Sequence, residues 1–122
     1  MYRCAMWKWW LLALMACKSE PRRTEVEKAC SLVGKRVVVE GVLDADPNMR
    51  CVDRACDFSL RDNGHSIIAR VMIPEGAGGM TSKSFPGSAR GKRIAFGKRT
   101  VITGTVVADP APCRVDIEDV TQ

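Results

Sequence analysis

Six basic residues fall between Gly76 and Ala108 with no acidic residue among them: Lys83, Arg90, Lys92, Arg93, Lys98 and Arg99. Clustered cations of this kind attract anionic lipid head groups, surface polysaccharide or nucleic acid, and serve equally as solvated charge along a strand edge. The densest part, "GSARGKR" at Gly87 to Arg93, approaches a phosphate-binding loop. It has three residues instead of four between its glycines, and Arg93 stands where Ser or Thr would hold magnesium. "GAGG", Gly76 to Gly79, lacks the alternating strand and helix pattern of a dinucleotide site.

Other reactive side chains are sparse. His65 is the only histidine and falls in a predicted hairpin turn. Asp44, Asp46, Asp53 and Asp57 read as loop carboxylates without a partner, and Asp44, Asp46 and Asp53 could form an oxygen-rich cation site but lack the calcium-loop spacing. No catalytic residue, resident metal or cofactor is therefore expected. For single-stranded nucleic acid the chain offers charge without many stacking rings, since beyond Ala16 the aromatics are Phe58, Phe85 and Phe96 alone. Nucleic acid is not the expected partner.

The elements that position these residues begin after a leader. Met1 to Ala16 has positive charge at Arg3 and Lys8 and the apolar run "WWLLALMA", too short to span a bilayer as a helix. It reads as an export signal, with Met6 as an alternative start. "LMAC", Leu14 to Cys17, resembles the lipobox of bacterial lipoproteins, which implies a lipid on Cys17 as the new N-terminus and membrane attachment through it. A plain cleaved signal, or a buried helix of a cytosolic protein, are the other readings of this segment. Lys18 after the lipid-bearing Cys favours the outer membrane. Without the signal, 106 of the 122 residues remain and net charge falls to +3, enough chain for one small domain with a single core.

Cys30, Cys51, Cys56 and Cys113 remain once Cys4 leaves with the signal and Cys17 takes lipid. An even number in an exported domain reads as disulfides. Zinc would need two tight pairs, and only Cys51 and Cys56 lie close in sequence. Residues 17–23 read as a tether, and 24–122 as the folded domain. "TEVE", Thr24 to Glu27, has capping-box spacing and opens a helix that Gly34 ends.

From Lys35 the period becomes two. Val37, Val39, Gly41 and Leu43 share one side of a strand; Phe58 and Leu60 point inward from a second at Asp57 to Arg61. "DNG", Asp62 to Gly64, predicts a hairpin turn into a third strand, Ser66 to Ile73, with Ile67, Ala69, Val71 and Ile73 on one face. Pro74 to Gly91 shows no periodicity, and so long a loop in so small a domain is functional or mobile. A fourth strand is predicted at Ile94 to Ala108, bent near Gly97, and a fifth at Arg114 to Val120.

The fold class this predicts is all-β: a five-stranded OB-fold Greek-key barrel preceded by one short N-terminal helix. Two stretches, "GKRVVVEGVL" (Gly34 to Leu43) and "GKRTVITGTV" (Gly97 to Val106), share their spacing and read as equivalent pieces of backbone. Gly41 and Gly104 would permit the strong coiling that closes the sheet. The barrel starts its first and fifth strands at one end, which pairs Cys30 with Cys113 and leaves Cys51 to pair with Cys56 at the other. "LVGKRVVVEGVL", "FSLRDNGHSIIARV", "GKRTVITGTVV" and "RVDIEDV" resemble small bacterial exported OB-fold proteins, namely the bacterial OB-fold stress-associated periplasmic family and the tRNA anticodon-like OB-fold lipoproteins. The resemblance spans Thr24 to Val120 and implies the fold more than an activity.

The expected function is a lipid-anchored OB-fold binding or adaptor module of the cell envelope, facing the periplasm, without catalysis. Its partner would be an unknown envelope protein or an anionic glycan or lipid head group, met through the loops and the basic stretch. The alternative is a soluble periplasmic binder of nucleic acid or a small ligand. A hydrolase is a third reading.

Overall fold

The computed structural model describes residues 20–45, 51–76 and 79–122. The signal segment, Cys17 and Asp46 lie outside the described residues.

Seven strands form one sheet: β1 (Arg22–Thr24), β2 (Arg36–Asp44), β3 (Cys51–Val52), β4 (Ala55–Asp62), β5 (His65–Met72), β6 (Lys98–Val107) and β7 (Arg114–Thr121). Five of them close a barrel. β2 pairs antiparallel with β6 along its length and with β4 at Val42 to Asp44; β4 pairs with β5, β5 runs parallel to β7, and β7 returns to β6. This is the five-stranded OB-fold. The alternation that sequence shows is kept: Val37, Val39 and Leu43, then Phe58 and Leu60, then Ile67, Ala69 and Val71 are buried, while their neighbours face outward. Burial of each Leu or Ile side chain contributes roughly 1.5–3 kcal/mol. Asn63 and Gly64 both take positive φ, the backbone that a two-residue hairpin loop between β4 and β5 requires.

The two Gly-Lys-Arg stretches are partners of each other. In the β2–β6 ladder Val37 lies opposite Gly104 and Gly41 opposite Thr100, so the fourth position of each repeat meets the eighth position of the other. Gly34 donates its N–H to the Val106 carbonyl and Gly97 donates to that of Leu43, both at 2.8 Å. Each leading glycine sits at positive φ, +85° and +79°. The second glycines are needed for close approach. A Cβ on Gly41 would lie 2.7 Å from the Arg61 carbonyl oxygen, and one on Gly104 would lie 2.2 Å from that of Asp116. Gly104 also marks a register shift between β6 and β7.

The ends of the barrel are closed differently. At one end a 3-10 helix, Val26–Leu32, buries Val26 and Ala29 in the core. The capping box expected at Thr24 to Glu27 does not form: Thr24 is the last residue of β1, held extended by parallel pairing with Val39, and Glu25 precedes the helix with no side-chain cap. The stretch read as tether therefore reaches into the sheet through Arg22 and Arg23. At the other end the connection from β5 to β6 folds back over the barrel. It contains 3-10 turns at Ser82–Ser84 and Gly87–Ala89, and it buries Ser84, Phe85 and Ala89. Short turns thus stand in a stretch whose sequence shows no periodicity. A capping box stands here instead, with Thr81 Oγ1 accepting from Lys83 N and Thr81 N donating to Ser84 Oγ. β6 begins at Lys98, not Ile94, because Gly97 turns the chain with φ +79°.

Cys30 is bonded to Cys113 and Cys51 to Cys56, the first at the helix-capped end and the second across the β3–β4 hairpin.

Candidate functional site

Phe58, Phe85 and Phe96 meet at the end of the barrel closed by the β5–β6 connection. Phe58 comes from β4, Phe85 from between the two 3-10 turns, and Phe96 from the turn before β6. The Phe58 ring stacks on Phe85 at 6.0 Å between centroids and on Phe96 at 5.5 Å. Phe58 and Phe85 are buried, whereas Phe96 is 47% exposed, so the stack is a floor with one ring open to solvent. Met80, Thr81, Ser82, Gly91, Arg93 and Ile94 complete the walls of an open groove of about 590 Å³. Among the described residues no carboxylate lines it.

Next to this groove lies a smaller hollow of about 220 Å³ whose lining includes Lys92, Arg93, Lys98, Ser88 and Gln122. Arg93 borders both. Three of the six cations expected to bind an anion thus share this hollow, one of them also borders the apolar groove, and all three are exposed. Among the described residues Lys92, Arg93 and Lys98 make no ion pair. Lys83 and Arg90 are exposed on the same connection. Arg99 is committed elsewhere: it bonds Glu40 at 2.9 Å and Asp62 at 3.4 Å, and these carboxylates raise its pKa.

Most polar groups around the groove are already satisfied. Thr81 and Ser84 serve the capping box. Ser88 donates its N–H and hydroxyl to Asp119 Oδ1, at 2.6 and 2.7 Å. The Gln122 amide takes both main-chain groups of Ala95, accepting from its N–H at 2.9 Å and donating to its carbonyl at 2.7 Å. What remains for a ligand is an apolar floor, positive charge and the Ser82 hydroxyl.

The outer sheet face formed by β4, β5 and β7 has a different character. Its cleft of about 570 Å³ is lined by Val52, Asp53, Ala55, Asp57, Arg70, Met72, Arg114 and Asp116. Arg70 holds Asp57 through two bonds of 2.7 and 3.1 Å, which raise the pKa of the guanidinium, and Arg114 holds Asp116 at 2.6 Å. The arginines here are neutralised within the chain, and among the described residues no aromatic ring lines this cleft.

The remaining sequence candidates do not assemble into a site. Asp44 ends β2 and bonds Arg61, and Asp57 lies within β4, so neither is the unpartnered loop carboxylate that sequence implied. Asp53 sits exposed in the β3–β4 turn. His65 is exposed beside Glu27, its Nε2 3.5 Å from the carboxylate, at the opposite end of the barrel from the groove. Among the described residues no group of three His, Cys, Asp or Glu could hold a metal, and no helix is long and apolar enough to cross a membrane.

Sequence reasoning missed the aromatic floor. The available signal was that three phenylalanines alone remain beyond the leader, and that β4 begins, and the β5–β6 connection stays, at one end of the barrel.

No protein-family model matches the chain, and no curated protein matches it. Solved structures share its fold. The telomere capping protein Ten1 from Saccharomyces pombe superposes with a TM-score of 0.57 at 13% identity, covering 84% of this chain and 81% of that one. The E. coli protein ygiW gives 0.54 at 19% identity, covering 82% and 88%. Asparaginyl-tRNA synthetase from Pyrococcus horikoshii gives 0.56 at 19% identity over 84% of this chain, which spans 23% of the synthetase.

Proposed function

We propose that this chain is a lipid-anchored OB-fold module of the bacterial cell envelope, which binds an anionic partner at the aromatic groove and catalyses no reaction. The observation that carries this reading is that Arg93 borders a groove floored by Phe58, Phe85 and Phe96 and shares the adjoining hollow with Lys92 and Lys98. Two disulfides fit an oxidising, exported compartment. The neutralised outer face of β4 and β5, the surface on which OB-folds bind oligonucleotides, speaks against the nucleic-acid alternative.

Strand β1 gives the anchored module a direction. It runs parallel to β2, so its first residue, Arg22, lies toward the end carrying Cys30 and Cys113, away from the groove. Five Cα steps from Cys17 to Arg22 reach at most about 17 Å. From Val37, beside Arg22, to Asp44 at the groove end, β2 rises about 23 Å. With lipid on Cys17, the groove faces away from the membrane that holds the anchor, and the partner is an envelope protein or anionic glycan rather than a head group of that membrane.

Two measurements test the reading. Membrane fractionation with mass analysis of the N-terminus should find Cys17 carrying lipid; a soluble chain beginning elsewhere would end the anchoring claim. Retention on immobilised polyglutamate at low salt should fall severalfold for the Lys92→Glu/Arg93→Glu pair. The charge-matched Arg22→Glu/Arg23→Glu pair, at the far end, should behave as wild type, and equal loss in both pairs would remove the groove as the site.

A further inference from the structure

We infer that the ligand of the groove is an acidic peptide segment that seats one bulky apolar side chain on Phe96 and Phe58 and lays its carboxylates against Arg93, Lys92 and Lys98. This rests on the binding-module reading and narrows it to one chemical class.

The inference follows from what the groove leaves unsatisfied. A saccharide is held chiefly by many hydrogen bonds to its hydroxyls, and the groove has few to give: of its two hydroxyl residues Thr81 is engaged with Ser84 and only Ser82 is left, while in the adjoining hollow Ser88 bonds Asp119 and Gln122 holds the main chain of Ala95. Met80, Ile94 and Phe85 line it with aliphatic and aromatic surface suited to an apolar side chain. A single-stranded nucleic acid would stack successive bases, but among the described residues only Phe96 offers an open ring, which accommodates one planar or apolar group and not a run of them. The anionic component is short as well. Arg93 borders the groove and Lys92 and Lys98 the adjoining hollow, so the charges to be met lie within a few residues of the anchor. A volume of about 590 Å³ is in the range of pockets that take a large side chain with its flanking atoms. One apolar anchor bracketed by carboxylates matches this arrangement of floor and rim, and the charge on the rim rejects basic segments of the same shape.

The test uses the mature, oxidised protein and a fluorescein-labelled decapeptide of glutamates with one central Phe, read by anisotropy. Its comparators are the same peptide with Ala for Phe, a ten-residue oligogalacturonate, a ten-nucleotide oligothymidylate and phosphatidylglycerol vesicles. The Phe peptide should bind more tightly than every comparator, by at least tenfold over the Ala peptide. That advantage should shrink to less than threefold in Phe96→Ala, and affinity for both peptides should fall at least tenfold in Arg93→Glu. Thermal melts of both variants should stay close to wild type, since both positions are exposed. Equal binding of the two peptides would overturn the apolar anchor. Tighter, Arg93-dependent binding of the oligosaccharide or oligonucleotide would overturn the peptide class while leaving the binding module standing. Loss of Arg93 dependence for every probe would overturn both.

Discussion

Replacing Gly104 with alanine tests whether the repeated glycines serve geometry. The new Cβ would stand 2.2 Å from the Asp116 carbonyl oxygen and 2.8 Å from Val115 Cγ1. The first of these is about 1 Å or more inside a tolerable contact, and the obstacle is backbone on the neighbouring strand rather than the free end of a side chain. To relieve it β6 and β7 must part at the register shift, loosening ladder hydrogen bonds on both sides. Overpacking of this kind costs about 3 kcal/mol, at the upper end of its ordinary range. For a domain of this size each kcal/mol lowers the melting temperature by about 4–8 °C, so Gly104→Ala should melt at least about 12 °C below wild type. Gly34→Ala is the control. Its Cβ would meet nothing within 4 Å, and only the positive φ is strained, at a cost of about 1–2 kcal/mol. Calorimetry of the two variants under oxidising conditions should rank Gly104→Ala as clearly the worse. If it melts within a few degrees of wild type, or no lower than Gly34→Ala, close approach of the strands is not why glycine occupies that position.

The two disulfides should contribute unequally, because they close loops of very different length. By loop-closure entropy Cys30→Ser/Cys113→Ser should lose about 4–5 kcal/mol and Cys51→Ser/Cys56→Ser about 2 kcal/mol, readable as separate shifts in urea midpoint; equal losses would contradict this ranking. Ser84→Ala removes one half of the capping box on the β5–β6 connection, and should cost about 1 kcal/mol. Hydrogen exchange should then speed up at residues 81–91 more than in β2, and a uniform increase would show that the box does not hold the connection locally.

The barrel was legible because four of its five strands are buried on alternate residues without interruption, from Val37 through Val71 and again in β6. Strand direction then brings the starts of β2 and β7 to one end, where Cys30 meets Cys113. Local rules failed where long-range pairing overrode them. Thr24 has the type and spacing of a cap, yet its backbone is claimed by β2. Ile94 to Phe96 continue an apolar pattern, yet Gly97 turns the chain before the ladder begins. The cationic half of the site was visible as a run of residues. Its aromatic half was not, because Phe58 lies in a different strand, and no periodicity links it to Phe85 and Phe96. Nor did sequence distinguish Arg99, whose carboxylate partners Glu40 and Asp62 lie far away in the chain, from Lys92, Arg93 and Lys98, which make no ion pair among the described residues.

The β5–β6 connection is fastened on both sides of Phe85, by the Thr81–Ser84 box before it and by Ser88 on Asp119 after it. Its ring therefore has little freedom left to lose when a ligand arrives. If the groove binds as proposed, a site shaped in advance would capture on encounter, at a rate governed by diffusion and by the pull of Arg93 and its neighbours, with no slow rearrangement to await. Release then depends on how firmly one side chain is seated, so exchange of partners should be rapid and set almost wholly by that anchor's size.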